Sequence, residues 1–243
     1  MTRWGDLRWP ELAATVADRP VALLPFAAIE EHGPHLPLDT DVVLADALAQ
    51  RIADAAALMR LPTMPYGQVW SLEHFPGSLS VRDATLVALV EDLARGLERA
   101  GVRGLVLLSG HLGNATALRT AGRVLHERGS LPALALTYPG LREAAADVRE
   151  APESHPAIMH ADELETSMML AVAPDRVAMD RAVAEYPDYP AHFDSAPVRW
   201  DTVSRSGVFG DATAATAEKG HRLLEAVVRA AVELIDGWRA ELS

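Results

Sequence analysis

Three short apolar runs, residues 21–29 (VALLPFAAI), 105–108 (LVLL) and 131–137 (LPALALT), each give way to polar sequence and then to a longer stretch with apolar residues at helical spacing. A run that is apolar at every position, with no alternation, reads as a strand buried on both faces. Strands of that kind recurring between helices require crossover connections, so a mostly parallel sheet with helices over both faces is expected. At 243 residues the chain is read as one α/β domain, 1–243.

Helices are predicted over 41–57, 83–100, 115–128, 141–150, 162–172 and 213–242, with a further strand over 58–65. Residues 66–80, which contain Gly67, Pro76 and Gly77, read as a long loop. In parallel sheets ligands collect beyond the carboxyl ends of the strands. The polar segments 30–41 and 109–114 both follow a strand directly, so both are expected to open on one edge.

Lys and Arg number 22 against 34 Asp and Glu, a formal charge of −12 that opposes binding to a nucleic-acid backbone. The absence of cysteine excludes disulfides, thiolate metal sites and a cysteine nucleophile, and fits a reducing compartment. The opening residues MTRWGD lack an apolar signal core, and no apolar run approaches the ~18 residues of a membrane span. A soluble cytoplasmic protein acting on a small molecule or short peptide is expected.

Glu30 and His32 stand two apart at a strand end, where alternate side chains share a side, and Glu31 is then expected to face away. Asp41, after a proline-rich turn and at a helix start, is placed to return toward the same pocket. These oxygen and nitrogen donors suit zinc, manganese or iron. Each residue alone is as well explained by solvation, capping or packing; the three together point to a metal. His35 reads as structural.

His111 lies in Gly110-His111-Leu112-Gly113-Asn114, where the glycines allow close backbone approach, and is a further ligand or a turn histidine. Asn114 reads as the cap of the next helix. The cluster His160-Ala161-Asp162-Glu163-Leu164-Glu165 opens another helix, and by periodicity alone it is an acidic first turn complementing the helix dipole. Trp70 and His74, in the 66–80 loop, are candidates for contacting substrate, with packing an equal reading for Trp70.

Residues 25–41, with the core Glu30-x-His32-Gly33-Pro34-His35-Leu36-Pro37, resemble the signature of the creatininase (creatinine amidohydrolase) family. Gly110-His111-x-Gly113-Asn114 and His160-Ala161-x-x-x-Glu165-Thr166-Ser167 are similar to two further family motifs. So are Glu73-His74-Phe75-Pro76-Gly77-Ser78 and Gly207-Val208-Phe209-Gly210-Asp211 leading to Ala217-Glu218-Lys219-Gly220, all in family order across almost the whole chain. The resemblance implies a three-layer α/β/α sandwich with a mostly parallel sheet, assembled as a homohexamer. It implies two divalent metals per chain, zinc first with manganese or iron as alternatives, and hydrolysis of an amide-type bond in a cyclic amide, formamide or small peptide. Glu30, His32, Asp41, His111 and Glu165 are then the ligands, with Asp41 bridging cations ~3.5–4 Å apart. His160, with Glu165 near it, handles protons at the scissile group.

The chain departs from the family at Gly113, where creatininases proper carry a metal-binding glutamate, at Glu31, where glutamine is usual, and at Asp162, where glycine is usual. The tryptophans that creatininases place near the third histidine are also missing, for none lies between Ser71 and Arg199. These features bring the pattern nearer to the branch of mycofactocin-precursor peptidases and formamide hydrolases. Two other uses of the scaffold stay open: hydrolysis of a lactone or cyclic ketone on the same metals, and a non-catalytic binding or assembly role.

Overall fold

The computed structural model describes residues 2–242; Met1, the first residue of the stretch read for a signal core, and Ser243 lie outside them. The chain runs through α1 (Trp9–Thr15), β1 (Val21–Phe26), α2 (Thr40–Ala55), β2 (Met59–Arg60), α3 (Asp83–Ala100), β3 (Gly104–Ser109), α4 (Ala115–Glu127), β4 (Ala133–Thr137), α5 (Leu141–Val148), α6 (Glu163–Val172), β5 (Ala184–Glu185), β6 (Gly210–Asp211) and α7 (Ala217–Ala240). Four strands form a parallel sheet in the order β2-β1-β3-β4, and β5 and β6 make a small antiparallel pair. Every residue of β1 and β3 is buried, as continuous apolar runs require.

Alternate side chains of the central strands feed two cores. Leu23, Val106 and Leu108 pack with α2, α6 and α7 on one face, through residues such as Leu44, Leu48, Met168, Leu223 and Val227. Ala22, Leu24, Leu105 and Leu107 pack with Leu86, Val90 and Leu118 of α3 and α4 on the other. The result is the three-layer sandwich expected from the sequence.

Three predicted strands are shorter than expected, the one over 131–137 only by its first two residues. β1 ends at Phe26 and the strand predicted over 58–65 keeps only Met59 and Arg60, with one isolated bridge from Phe26 to Met64. Pro62 and Pro65 cannot donate to a ladder, which stops the pairing. The last helix starts at Ala217, where Thr216 accepts from the Lys219 N–H, and Ala212–Ala214 forms a separate 3-10 turn.

From β1 the connection through α2 winds to β2 on one side, whereas β3 continues to β4 on the other. The winding therefore reverses between β1 and β3, and the crevice beyond their carboxyl ends is where an open α/β sheet binds ligands. The segments that carry Glu30 and His111 begin there.

Candidate metal centre

After β1 the chain leaves extended geometry and folds back, with the Glu30 N–H donating to the Leu38 carbonyl at 3.0 Å and Gly33 turning at φ +66°. This turn delivers Glu30 and His32 inward. Asp41 follows in the first turn of α2, His111 comes from the end of β3, and Glu165 from the first turn of α6. Asp162 caps α6 by accepting from the Leu164 and Glu165 N–H groups, so the cap fixes the turn that carries Glu165.

Both histidines are oriented by main-chain carbonyls. His32 Nδ1 lies 3.1 Å from the Glu30 carbonyl and His111 Nε2 lies 2.6 Å from the Gln68 carbonyl. A carbonyl only accepts, so the nitrogen facing it carries the proton and the other nitrogen is presented inward. His32 Nε2 stands 3.5 Å from both Asp41 Oδ1 and Glu165 Oε2, and His111 Nδ1 stands 3.0 Å from Glu30 Oε1 and 3.1 Å from Asp41 Oδ2.

The five residues sort into two overlapping donor groups. One is Glu30, Asp41 and His111, the other His32, Asp41 and Glu165, with the donor atoms of each group within 4.8 Å of one another. Asp41 belongs to both. A third grouping joins Glu30, His32 and His160. Glu30 Oε2 and His32 Nε2 are buried without a hydrogen-bond partner. Three buried carboxylates facing one another are costly unless cations compensate them, and orphaned donors aimed at a common point fit divalent metals.

Without metal the carboxylates act on the imidazoles instead. Burial pushes His32 down, but Glu165 and Asp41 outweigh it and hold the ring well above its ordinary range. Burial likewise opposes charge on His111, and Glu30 and Asp41 overcome it. Asp41 and Glu165 are driven below the usual carboxylate range, against burial, by His111 and His32 respectively. His35 bonds to Thr166 Oγ1 at 2.8 Å, and burial lowers it to about 4; it stands outside the three donor groups.

Glu31 does not face away. It is buried, with Oε1 2.9 Å from His160 Nε2 and Oε2 accepting from the Gly33 N–H at 2.8 Å. Strand alternation fails as a guide because the backbone is already turning at this point. His160 is raised, burial being outweighed by the Glu31 carboxylate, and its Nδ1 lies 3.7 Å from Glu30 Oε1. Asn114 stands at the N-cap position of α4 as expected, but its side chain does not cap the helix: it donates to the Ala27 carbonyl and accepts from the Gln68 N–H, tying three loops together behind the site.

A cavity of about 230 Å³ opens above the donors, with Glu30, Asp41 and His111 on its floor and His160, Tyr138 and Trp200 among its walls. Trp200 is not legible as a site residue in the sequence, where it is one of several aromatics in an irregular segment with Tyr186, Tyr189, Phe193 and Phe209. Trp70 and His74 are not among the cavity-lining residues. The Trp70 ring carries the Arg199 guanidinium 3.9 Å above it, and His74 Nδ1 lies 3.4 Å from Asp201, so the two grip the residues on either side of Trp200. At Gly113 a Cβ would collide with His111 Nε2 and the Gln68 carbonyl, so the oriented His111 leaves no room for a side chain there.

A profile of the creatininase family, described as creatinine amidohydrolase, matches residues 5–235. The creatinine amidohydrolase of Pseudomonas putida is 33% identical over 246 residues, covering 95% of both chains. The mycofactocin precursor peptide peptidase of Mycolicibacterium smegmatis is 32% identical, covering 91% of this chain and 87% of its own. The peptidases are thus close relatives, at an identity similar to that of the creatinine amidohydrolase. Among solved structures, a manganese form of creatininase superposes with a TM-score of 0.84 at 32% identity over 97% of this chain and 98% of its own. A zinc–zinc form of a creatininase variant gives 0.84 at 31% identity over 97% of both.

Proposed function

Because this chain belongs to the creatininase (creatinine amidohydrolase) family, we propose that its site cleaves a carbon–nitrogen amide-type bond in a small molecule or short peptide. The convergence of Glu30, His32, Asp41, His111 and Glu165 on orphaned buried donors carries this reading. Two divalent cations are assigned to the two groups that share Asp41, zinc first, with manganese or iron as alternatives. When bound they supply Lewis acidity and a water acidified toward neutral pH.

The chain's own groups do the rest. The cavity walls place the amide over the floor donors, and Glu31 holds His160 through Nε2. Nδ1, on the Glu30 side, is then the position from which a proton reaches the departing nitrogen. Trp200 forms a face for the substrate, and Trp70 and His74 act on the substrate by holding Arg199 and Asp201 beside it. A homohexamer and a cytoplasmic setting complete the reading; light scattering and cell fractionation test these.

The test is a panel of cyclic amides, formamides, short peptides and lactones offered to enzyme loaded with zinc or manganese. Amide hydrolysis lost on chelation and restored by metal is expected. Lactone turnover without amide turnover overturns the proposal, as does a chain that takes up less than one metal.

A further inference from the structure

The reaction cavity is not closed on its far side. Leu112, Tyr138, Ala157 and Met159 also line a second hollow of about 420 Å³ that runs between α5 and the segment before His160. Its floor is apolar, with Leu141, Ile158 and Leu164. Leu112, at the junction, is 40% exposed. Exposed apolar surface continuous with a catalytic pocket marks a place where apolar ligand surface is buried.

Charge is placed unevenly along this groove. Arg149 is engaged by Asp162 at 3.3 Å and Glu153 at 3.9 Å. Arg142, exposed on α5 at the groove wall, makes no ion pair among the described residues. A free guanidinium beside an apolar channel is suited to a planar carboxylate at the end of an apolar chain.

We propose that this groove seats the distal part of the substrate, an apolar arm of at least leucine size that ends in a carboxylate at Arg142. The inference rests on the amide-hydrolase reading for the group that lies over the donors. It assigns specificity to α5, which contributes no residue to the donor groups. Leu112 and Met159 form the threshold between the reacting amide and the arm, so a substrate confined to the first cavity leaves the groove empty.

The test uses three probes on the metal-loaded enzyme: N-formyl-leucyl-phenylalanine, the same dipeptide with its carboxylate capped as an amide, and N-methylformamide. Two exposed positions on α5 are altered, Ala146→Trp to fill the groove and Arg142→Glu to reverse its charge. Ala146→Trp should lower kcat/KM on both dipeptides by at least about tenfold, the order expected from excluding one apolar side chain. Arg142→Glu should do so only for the free carboxylate, and N-methylformamide should be unchanged by either. Equal loss on all three probes, or none, overturns the proposal, as does a changed oligomeric mass in the Trp variant, which puts a second copy in the groove. If no probe is hydrolysed, the cyclic amides of the wider panel decide the amide-hydrolase reading, and calorimetric binding of the free dipeptide decides the groove separately. Binding abolished by Ala146→Trp upholds the groove; absent or unaltered binding refutes it.

Discussion

His160 Nε2, in the wall of the cavity, lies 2.9 Å from Glu31 Oε1, and both side chains are buried. The other Glu31 oxygen is held by the Gly33 N–H, so the carboxylate is fixed at both ends. Gly207, at φ +76°, lets its backbone lie against that carboxylate where a Cβ would collide with it. The pairing joins the first and third motifs through a residue that strand alternation assigns to the wrong side.

Glu31→Ala should cut kcat by about 10²–10⁴, the range associated with loss of a positioned proton-transfer group, while metal content holds. Glu31→Gln keeps an acceptor and should recover most of that loss. Since the carboxylate is what raises His160, its removal lowers the pH up to which the imidazole stays protonated. The basic limb of the pH–rate profile should therefore move to lower pH in both variants, and an unmoved limb refutes the role.

Glu165→Gln should reduce the metal bound per chain, measured by elemental analysis, while the Glu30, Asp41 and His111 group retains its cation. Restoring the family's glutamate with Gly113→Glu should not compensate. The space is taken by His111 Nε2 and the Gln68 carbonyl, so the substitution should displace His111 and lower metal content further. Full metal content in Glu165→Gln removes that residue from the ligand set.

Metal uptake should release protons and strengthen with pH. His32 and His111 are held above their ordinary range in the metal-free protein, and a cation binds only the deprotonated ring. Below the raised values protons compete with metal; above them they do not. Zinc titrations at about pH 6 and about pH 8 should give tighter binding at the higher value, with proton release seen as a buffer-dependent heat. Binding independent of pH contradicts the assignment.

Burial lifts the Asp162 carboxyl to about 6 even though Arg149 pulls it down. The folded value exceeds the ~3.9 of an unfolded chain, so this group's contribution to stability is present below about pH 4 and lost as pH rises through about 6. Denaturant titrations of the wild type and Asp162→Asn should show the stability difference changing against the wild type, by on the order of 3 kcal/mol, from about pH 4 to about pH 7. A flat difference refutes the burial argument.

The main elements were legible in the sequence because their signals are local. The apolar runs that became β1 and β3 are buried throughout, whereas β4, at the edge of the sheet, buries only Leu136 fully, and the amphipathic stretches that became α3 and α4 cover one face of the sheet. Glu30, His32 and Asp41 could be grouped because one tight turn holds them within twelve residues. The prolines that cut the strand predicted over 58–65 are also visible in the sequence, and their missing N–H groups outweigh the apolar character of that run.

The sequence by itself determined the donor types, their placement after parallel strands and the family to which they belong. Only the tertiary structure decided which side chains meet: Glu165 with His32 across 133 positions, Glu31 with His160 across 129, and Trp200 at the cavity wall. The physical reason is that motif spacing constrains neighbours along the chain, whereas a shared cation, a buried hydrogen bond or a cavity wall depends on where separate elements pack. The same packing decided that the Asn114 side chain ties loops rather than capping a helix, because its partners, the Ala27 carbonyl and the Gln68 N–H, come from two other segments.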